Sequence, residues 1–184
     1  MFPVNVPNVL TVLRILLVPV VVVALLDETE NGDLLAAIVF ALASVTDWVD
    51  GYVARSRGAV TTFGKLMDPI ADKLLVVAAL VALVSLDRLA AWVAMVIIGR
   101  ELAVTMSRMA ATGQGVVISA NRWGKVKTAL QVATIFLLIA VSGSPGWLDA
   151  LVYVTVAVTI VSGVEYFFGL RRTLAARERK GAQA

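Results

Sequence analysis

Six apolar segments follow one another along this chain, separated by short polar or turn-forming stretches. A helix needs about 20 apolar residues to cross the hydrocarbon core of a bilayer, and lipid offers no partner for an open backbone hydrogen bond. Of the 184 residues, 60% are hydrophobic and only 16% are charged. The sequence therefore predicts an all-α integral membrane protein, a single domain over residues 1–184, with six transmembrane helices near 9–26, 34–54, 66–86, 89–110, 125–142 and 148–170.

Basic residues are distributed unevenly between the two sides of these predicted spans. If the N-terminus lies inside, fifteen of the 16 Lys and Arg residues fall on the inner side or in the inner halves of helices, and only Arg88 falls outside. Because cytoplasmic loops are enriched in Lys and Arg, we expect a multi-pass protein of the cell membrane with both termini in the cytoplasm. Segment 171–184 is predicted to be a basic cytoplasmic tail that contacts anionic lipids.

Four carboxylates lie inside two of the predicted spans, in the pattern Asp47-x2-Asp50-Gly51-x2-Ala54-Arg55-x8-Gly64-x3-Asp68-x3-Asp72. A charged side chain at the bilayer centre costs about 2.5–3.5 kcal/mol on insertion scales, so such residues indicate a functional site. Helical periodicity places Asp47 with Asp50, and Asp68 with Asp72, on one face of each helix. Side by side, the two helices would gather the oxygen donors that hard divalent cations bind.

The sequence contains no histidine and no cysteine. This excludes disulfides and thiolate chemistry and removes the commonest general base. Acid–base and metal chemistry therefore fall to Asp, Glu, Lys, Tyr, Ser or Thr. An alternative for the four aspartates is an internal ion-pair cluster with Arg55, Lys65 and Lys73, although such a cluster would not require the glycines and alanine of the motif.

The motif resembles the signature of the CDP-alcohol phosphotransferases, membrane enzymes of phospholipid synthesis with six transmembrane helices, and it matches that signature at every position. Shorter motifs resemble the phosphatidylglycerophosphate synthase branch of the family: Pro7-Asn8-x2-Thr11-x2-Arg14, Gly99-Arg100-Glu101-x3-Thr105-x2-Arg108, Gly124-Lys125-x-Lys127-Thr128 and Ser162-Gly163-x-Glu165-Tyr166. The resemblance implies a bundle of that fold, CDP-diacylglycerol and glycerol 3-phosphate as substrates, phosphatidylglycerol phosphate and CMP as products, and a homodimer. No nucleic-acid partner is expected.

The resemblance also assigns roles within the motif. Asp47, Asp50 and Asp68 would bind metal, and Asp72 would complete the acidic cluster and act as general base toward the acceptor hydroxyl. Two Mg²⁺ or Mn²⁺ ions are expected, since Mg²⁺ usually binds through one or two carboxylates together with substrate phosphates. The CDP-diacylglycerol site is expected to comprise Asn8, Thr11, Gly51, Ala54, Arg55 and Gly64.

Most of these predicted CDP-site residues also have a purely structural interpretation. Small residues allow close helix packing in membrane bundles, and Asn8 and Thr11 are common helix-capping types. In this register, however, Gly51 and Gly64 fall on the carboxylate stripe, where a nucleotide could approach the backbone. Arg55 lies one turn after Gly51 and can bind two phosphate oxygens.

A basic group in the fourth and fifth segments is expected to bind the acceptor's phosphate: Arg100, Arg108, Lys125 and Lys127. Arg100 and Arg108 are eight residues apart and therefore lie on roughly one helix face. The alternatives are snorkelling of these side chains to lipid headgroups and an ion pair between Glu101 and a neighbour.

Two other functions stay open from the residues alone. The same chemistry could use another acceptor, such as phosphatidylglycerol to give cardiolipin, or inositol phosphate. A protein of a different class, a carrier that moves cations past its carboxylates, would also place charges inside the membrane. The carrier leaves Ala54, Arg55 and Gly64 without a role.

Overall fold

The computed structural model describes residues 6–27, 29–57, 62–113, 122–141, 143 and 145–181, with side chains at 11–27, 29, 31–46, 70–71, 73–113, 123–141, 143 and 145–175. Within these ranges the chain forms six α-helices: α1 (Val6–Leu26), α2 (Glu30–Arg57), α3 (Thr62–Ser85), α4 (Ala91–Gly113), α5 (Arg122–Ala140) and α6 (Gly146–Gly181). For the described residues, the prediction of an all-α protein with six helices is confirmed, whereas their crossing of the membrane stays a prediction.

The helices differ from the predicted apolar segments mainly at their ends. The largest difference is in α6, which has 36 residues and continues to Gly181, through most of the segment predicted as a tail. Residues 171–180 contain neither Pro nor Gly and are mostly Ala, Arg, Leu, Glu and Lys, all good helix formers. Hydropathy marks the apolar part of such a helix, whereas backbone propensity decides where it ends. Residues 182–184 of the predicted tail lie outside the described residues.

Two stretches of the described chain are long and apolar enough to cross a membrane, Trp123–Ala140 and Gly146–Ala175. Shorter apolar stretches occur at Thr11–Leu26, Asn31–Thr46 and Lys73–Ser85. Large apolar side chains are exposed on the outside of all six helices, among them Leu16, Leu42, Val81, Met95, Val126 and Phe168. An apolar exterior of this extent is typical of a surface that faces lipid or a partner.

The helices pack around a core of fully buried apolar side chains. α1 packs along both α2 and α3, α6 packs on α4 and α5, and contacts of α5 with α2 and α3 join the two groups. Phe40, Leu83 and Ile139 are fully buried in this core, as is the small residue Ala79, which allows close approach of helices. A buried hydrogen bond of 2.7 Å between the hydroxyls of Thr134 and Thr155 links α5 to α6.

An ion pair with two hydrogen bonds lies at the end of the bundle where α2 begins and α3 ends. Arg88 donates from Nη1 and Nη2 to the two carboxylate oxygens of Asp33, each at 2.8 Å. Arg88 follows Asp87, whose φ of 55° reverses the chain after α3. The lone basic residue predicted on the outer side is therefore neutralised by its neighbour, in the geometry that gives arginine–carboxylate pairs their strength.

The turn between α1 and α2 depends on a glycine. Thr29 is the N-cap of α2, since its hydroxyl accepts a hydrogen bond of 3.0 Å from the backbone N–H of Gly32. The α1 backbone passes so close that a Cβ added at Gly32 would lie 2.5 Å from the carbonyl oxygen of Ala24. Only a residue without a side chain fits between the two helices at this point.

We expect Gly32→Ala to destabilise the protein by about 1–3 kcal/mol, the usual range for overpacking, because a backbone oxygen must move to admit the methyl group. Thermal unfolding in detergent measures this effect. Gly169→Ala on α6 is the matched control, since no heavy atom lies within 4 Å of its added Cβ. Equal melting temperatures for the two variants would contradict the prediction.

Candidate active site

The acidic motif lies on two consecutive helices at one end of the bundle. Asp47 to Arg55 occupy the C-terminal part of α2, and Gly64 to Asp72 occupy the N-terminal half of α3. Because only residues 58–61 separate the two helices, these parts cannot lie far apart. The motif side chains lie outside the described residues, so their convergence on one point stays a prediction.

The first helix contributes two buried polar residues at the same end. Thr11 and Arg14 of α1 are each 3% exposed and stand nearly one helical turn apart, so they share the inward face. Asn8, also expected in the CDP-diacylglycerol site, lies on α1, but its side chain is outside the described set. Thr11 therefore faces the interior of the bundle, and its role in binding CDP-diacylglycerol stays a prediction.

The described part of the candidate site is a cluster of three cations that pair with Glu101 of α4. Its Oε2 accepts a hydrogen bond of 2.7 Å from Nζ of Lys73 on α3. Its Oε1 accepts one of 3.1 Å from Nη1 of Arg100 and another from Nζ of Lys127 on α5. We call these four residues the Glu101 cluster. It joins three helices, and Lys73 comes directly after Asp72 in the chain.

A fourth helix joins the cluster through Arg100. Its Nη2 donates a hydrogen bond of 2.9 Å to Ser162 Oγ on α6, and Ser162 Oγ donates in turn to the Thr159 carbonyl at 3.1 Å. The next residue is Gly163, where an added Cβ would lie 3.1 Å from Cγ of Arg100. The Ser-Gly pair of α6 therefore both fixes the guanidinium and leaves space for the side chain that carries it.

The other two predicted acceptor ligands lie outside this cluster. Arg108 is exposed, with its guanidinium carbon 5.7 Å from the centre of the Tyr166 ring on α6, a cation–π contact. Lys125 is exposed at the start of α5, and no acidic side chain pairs with it among those described. Of the four, the structure brings together Arg100 and Lys127 and leaves Arg108 and Lys125 on the surface.

The pairing of Glu101 is the alternative that the sequence left open for this basic group. Sequence reasoning did not place Lys73 here, because it considered that lysine only as a partner for the motif aspartates. The signal that could have found it is the presence of one glutamate in the middle of an apolar helix. A buried carboxylate requires cations from neighbouring helices, and Lys73 and Lys127 are the basic residues closest to the middle of α3 and α5.

The chemistry of the donor set decides which ion the motif suits. Four carboxylates and no nitrogen or sulfur donors fit a hard cation such as Mg²⁺ or Mn²⁺ rather than zinc or copper. Among the described side chains, no other group of three acidic residues is placed to hold a metal. The residues of the motif therefore fit the divalent ion that the sequence predicts.

Comparison with known proteins shows the family of this chain. Residues 4–161 match the family described as CDP-alcohol phosphatidyltransferase. The chain belongs to this family. It is a family of membrane-associated enzymes, which agrees with the apolar exterior of the helices.

Individual members are similar over most of their length. A CDP-diacylglycerol–glycerol-3-phosphate 3-phosphatidyltransferase of Bacillus subtilis is 44% identical, over 89% of this chain and 93% of that protein. An enzyme of the same name from Rickettsia felis is 37% identical, again over 89% and 93%. A probable phosphatidylglycerophosphate synthase of Mycobacterium tuberculosis is 40% identical, over 88% of this chain and 79% of that protein.

We expect Lys127→Met to destabilise the protein by about 1.5–3 kcal/mol, the range for a hydrogen bond to a charged group, because Glu101 stays buried with one cation fewer. Lys125→Met makes the same substitution one half-turn away at an exposed position and should change stability by less than about 0.5 kcal/mol. Thermal unfolding of the two variants side by side tests the difference, and equal losses would show that burial of Lys127 does not matter.

Proposed function

We propose that this protein transfers the phosphatidyl group of CDP-diacylglycerol to glycerol 3-phosphate, giving phosphatidylglycerol phosphate and CMP. The observation that carries the proposal is the Glu101 cluster, which adjoins the last aspartate of the family motif and carries more positive than negative charge. Such a site suits an acceptor that itself bears a phosphate. The names of the similar bacterial enzymes point to the same pair of substrates.

The reaction requires a base and a correctly placed hydroxyl. Asp72 would take the proton from the acceptor's hydroxyl, whose oxygen then bonds to the lipid-side phosphorus of CDP-diacylglycerol as the bond to CMP breaks. The chain has no histidine to compete for this role. The neighbouring Lys73 is held by Glu101, so the backbone that carries Asp72 is anchored to α4.

The diphosphate of the donor would be held by the acidic motif and its surroundings. Asp47, Asp50 and Asp68 would hold two divalent ions, and Asp72 would complete the acidic cluster around them. When bound, such ions neutralise phosphate charge and stabilise the charge that develops on the leaving group. The residues expected to contact the CDP moiety are Asn8, Thr11, Gly51, Ala54, Arg55 and Gly64.

The acceptor's phosphate would be bound by basic residues of α4 and α5, namely Arg100, Arg108 and Lys125. Lys127, the fourth residue that the sequence predicts for this role, is 4% exposed and paired with Glu101. The distance between such a phosphate and the hydroxyl to be activated is fixed by the acceptor itself. Binding energy gained at the phosphate can therefore orient the hydroxyl toward Asp72.

The membrane arrangement is part of the proposal. All six helices would span the bilayer, and both termini would lie in the cytoplasm. The end of the bundle that carries the acidic motif would also face the cytoplasm, where glycerol 3-phosphate is available. The basic residues 171–180 of α6 would then lie against anionic headgroups. The protein would act as a homodimer, as the family resemblance implies.

An acceptor panel tests the proposed function directly. Purified protein is given CDP-diacylglycerol, Mg²⁺ and either glycerol 3-phosphate, phosphatidylglycerol or inositol phosphate, and CMP and the lipid product are identified. We expect CMP release and phosphatidylglycerol phosphate with glycerol 3-phosphate alone. Turnover only with another acceptor would show that this acceptor, and not glycerol 3-phosphate, is the substrate. Absence of CMP with every acceptor would contradict the proposed activity.

Chelation should abolish turnover. In excess EDTA the four motif aspartates would repel one another and the diphosphate charge would be uncompensated, so we expect no measurable CMP release and recovery on adding Mg²⁺ or Mn²⁺. The control is addition of EDTA already saturated with Mg²⁺, which should leave turnover intact. Full activity in chelator would contradict the metal assignment.

Asp72→Asn should separate catalysis from donor binding. The amide keeps the shape of the side chain but cannot accept the proton, so we expect kcat to fall by at least about 100-fold, the lower range for loss of a general base. The Kd for CDP-diacylglycerol should change much less than in Asp50→Asn, where a ligand of the metal is lost. Near-normal kcat would assign the base to another group.

A further inference from the structure

The Glu101 cluster contains more cations than it can neutralise internally. Three cations share a single carboxylate, and no other carboxylate among the described side chains pairs with them. Cations held this close repel one another strongly in a medium of low dielectric constant. Among the described side chains, Glu101 supplies the only counter-charge to these cations, so the cluster beside Asp72 keeps a net positive charge.

The members of the cluster differ in how far an arriving anion could reach them. The side chain of Lys127 is 4% exposed, whereas those of Lys73 and Arg100 are 20% and 14% exposed. Glu101 itself is 9% exposed and lies between them. An incoming phosphate would meet Lys73 and Arg100 first, while Lys127 stays enclosed behind the carboxylate.

We propose that Glu101 is a positioning residue, an internal counter-anion that occupies the same donors as the acceptor's phosphate and competes with it. This inference rests on the proposed function and extends it. With no acceptor bound, the carboxylate holds Lys73 and Arg100 in place. When a phosphate monoester binds, its oxygens take over the donors of these two residues and Glu101 stays paired with Lys127. Lys73 thus joins the acceptor site, and Lys127 serves as the buried partner of Glu101.

A cavity beside the cluster provides space into which the carboxylate of Glu101 can rotate. It has a volume of about 50 Å³ and is lined by aliphatic side chains and by Glu101, Lys73, Lys127, Thr128 and Gln131. This is more than one water molecule requires, so an oxygen of Glu101 can turn into it without displacing packed side chains. The turn would keep Glu101 beside Lys127 and release the outer two cations.

Competition of this kind has a consequence for product release. Phosphatidylglycerol phosphate retains the acceptor's phosphate, so any interaction that holds the substrate's phosphate also holds that of the product. Release of product limits kcat in many enzymes. A carboxylate that takes back Lys73 and Arg100 weakens both complexes and so favours departure of the product.

The test compares Glu101→Gln with the wild-type protein, measuring the equilibrium Kd for glycerol 3-phosphate and kcat for CMP release. Removing the competing charge should tighten glycerol 3-phosphate binding about tenfold and lower kcat about tenfold, near the effect of one charge-assisted hydrogen bond. Damage to the fold would instead weaken binding. Glu101→Asp keeps the charge, so its Kd should stay within about threefold of the wild-type value.

Asp33→Asn is the matched control, because it removes one carboxylate charge from the ion pair with Arg88 at the other end of the bundle. It should lower the melting temperature but leave both Kd and kcat unchanged. Weaker or unchanged glycerol 3-phosphate binding in Glu101→Gln would overturn the inference. Failure of the wild-type protein to use glycerol 3-phosphate would instead contradict the proposed function.

A second variant keeps the inference testable if Glu101→Gln does not fold. Lys73→Gln removes a cation that the phosphate is proposed to take over, and it should raise the Kd for glycerol 3-phosphate about tenfold with little change for CDP-diacylglycerol. An unchanged Kd for glycerol 3-phosphate in this variant would remove Lys73 from the acceptor site and overturn the inference.

Discussion

A charge inside a bundle of apolar helices must find its opposite on a neighbouring helix, and Glu101 meets this requirement for three helices at once. Its carboxylate pairs with Lys73 of α3, Arg100 of α4 and Lys127 of α5, and Arg100 extends the network to Ser162 of α6. Breaking a buried pair leaves an uncompensated charge. The relative position of these helices at the motif end therefore depends on one side chain.

The number and type of helices could be predicted because lipid restricts the chain to closed hydrogen-bonding patterns. The ends of the helices could not, since hydropathy reports where a helix is apolar and not where its backbone hydrogen bonds stop. α6 shows the difference, as it runs through the charged residues 171–180 to Gly181. α2 likewise continues past its apolar part to Arg57.

The two parts of the candidate site differ in how well the sequence predicts them. The acidic motif is visible in the sequence because its residues lie within one helical hairpin, at spacings that local geometry interprets. The Glu101 cluster is not, because Lys73, Glu101 and Lys127 are more than 25 residues apart in sequence and only the packing of α3, α4 and α5 unites them. Their positive charge predicted that Arg100 and Lys127 bind phosphate. The structure shows that the side chain of Arg100 is 14% exposed, whereas that of Lys127 is 4% exposed and paired with Glu101.

The ion pair between Asp33 and Arg88 has a bearing on how the chain is assembled. The two residues are 55 positions apart, and both precede α4. They can meet as soon as α3 and the turn after it have been synthesised, since domains of a growing chain form in order from the N-terminus. α2 and the turn after α3 can therefore be joined at one end of the bundle before α4, α5 and α6 have been synthesised. Glu101, Lys127 and Ser162 arrive later, so the charged centre is completed inside a frame already held together.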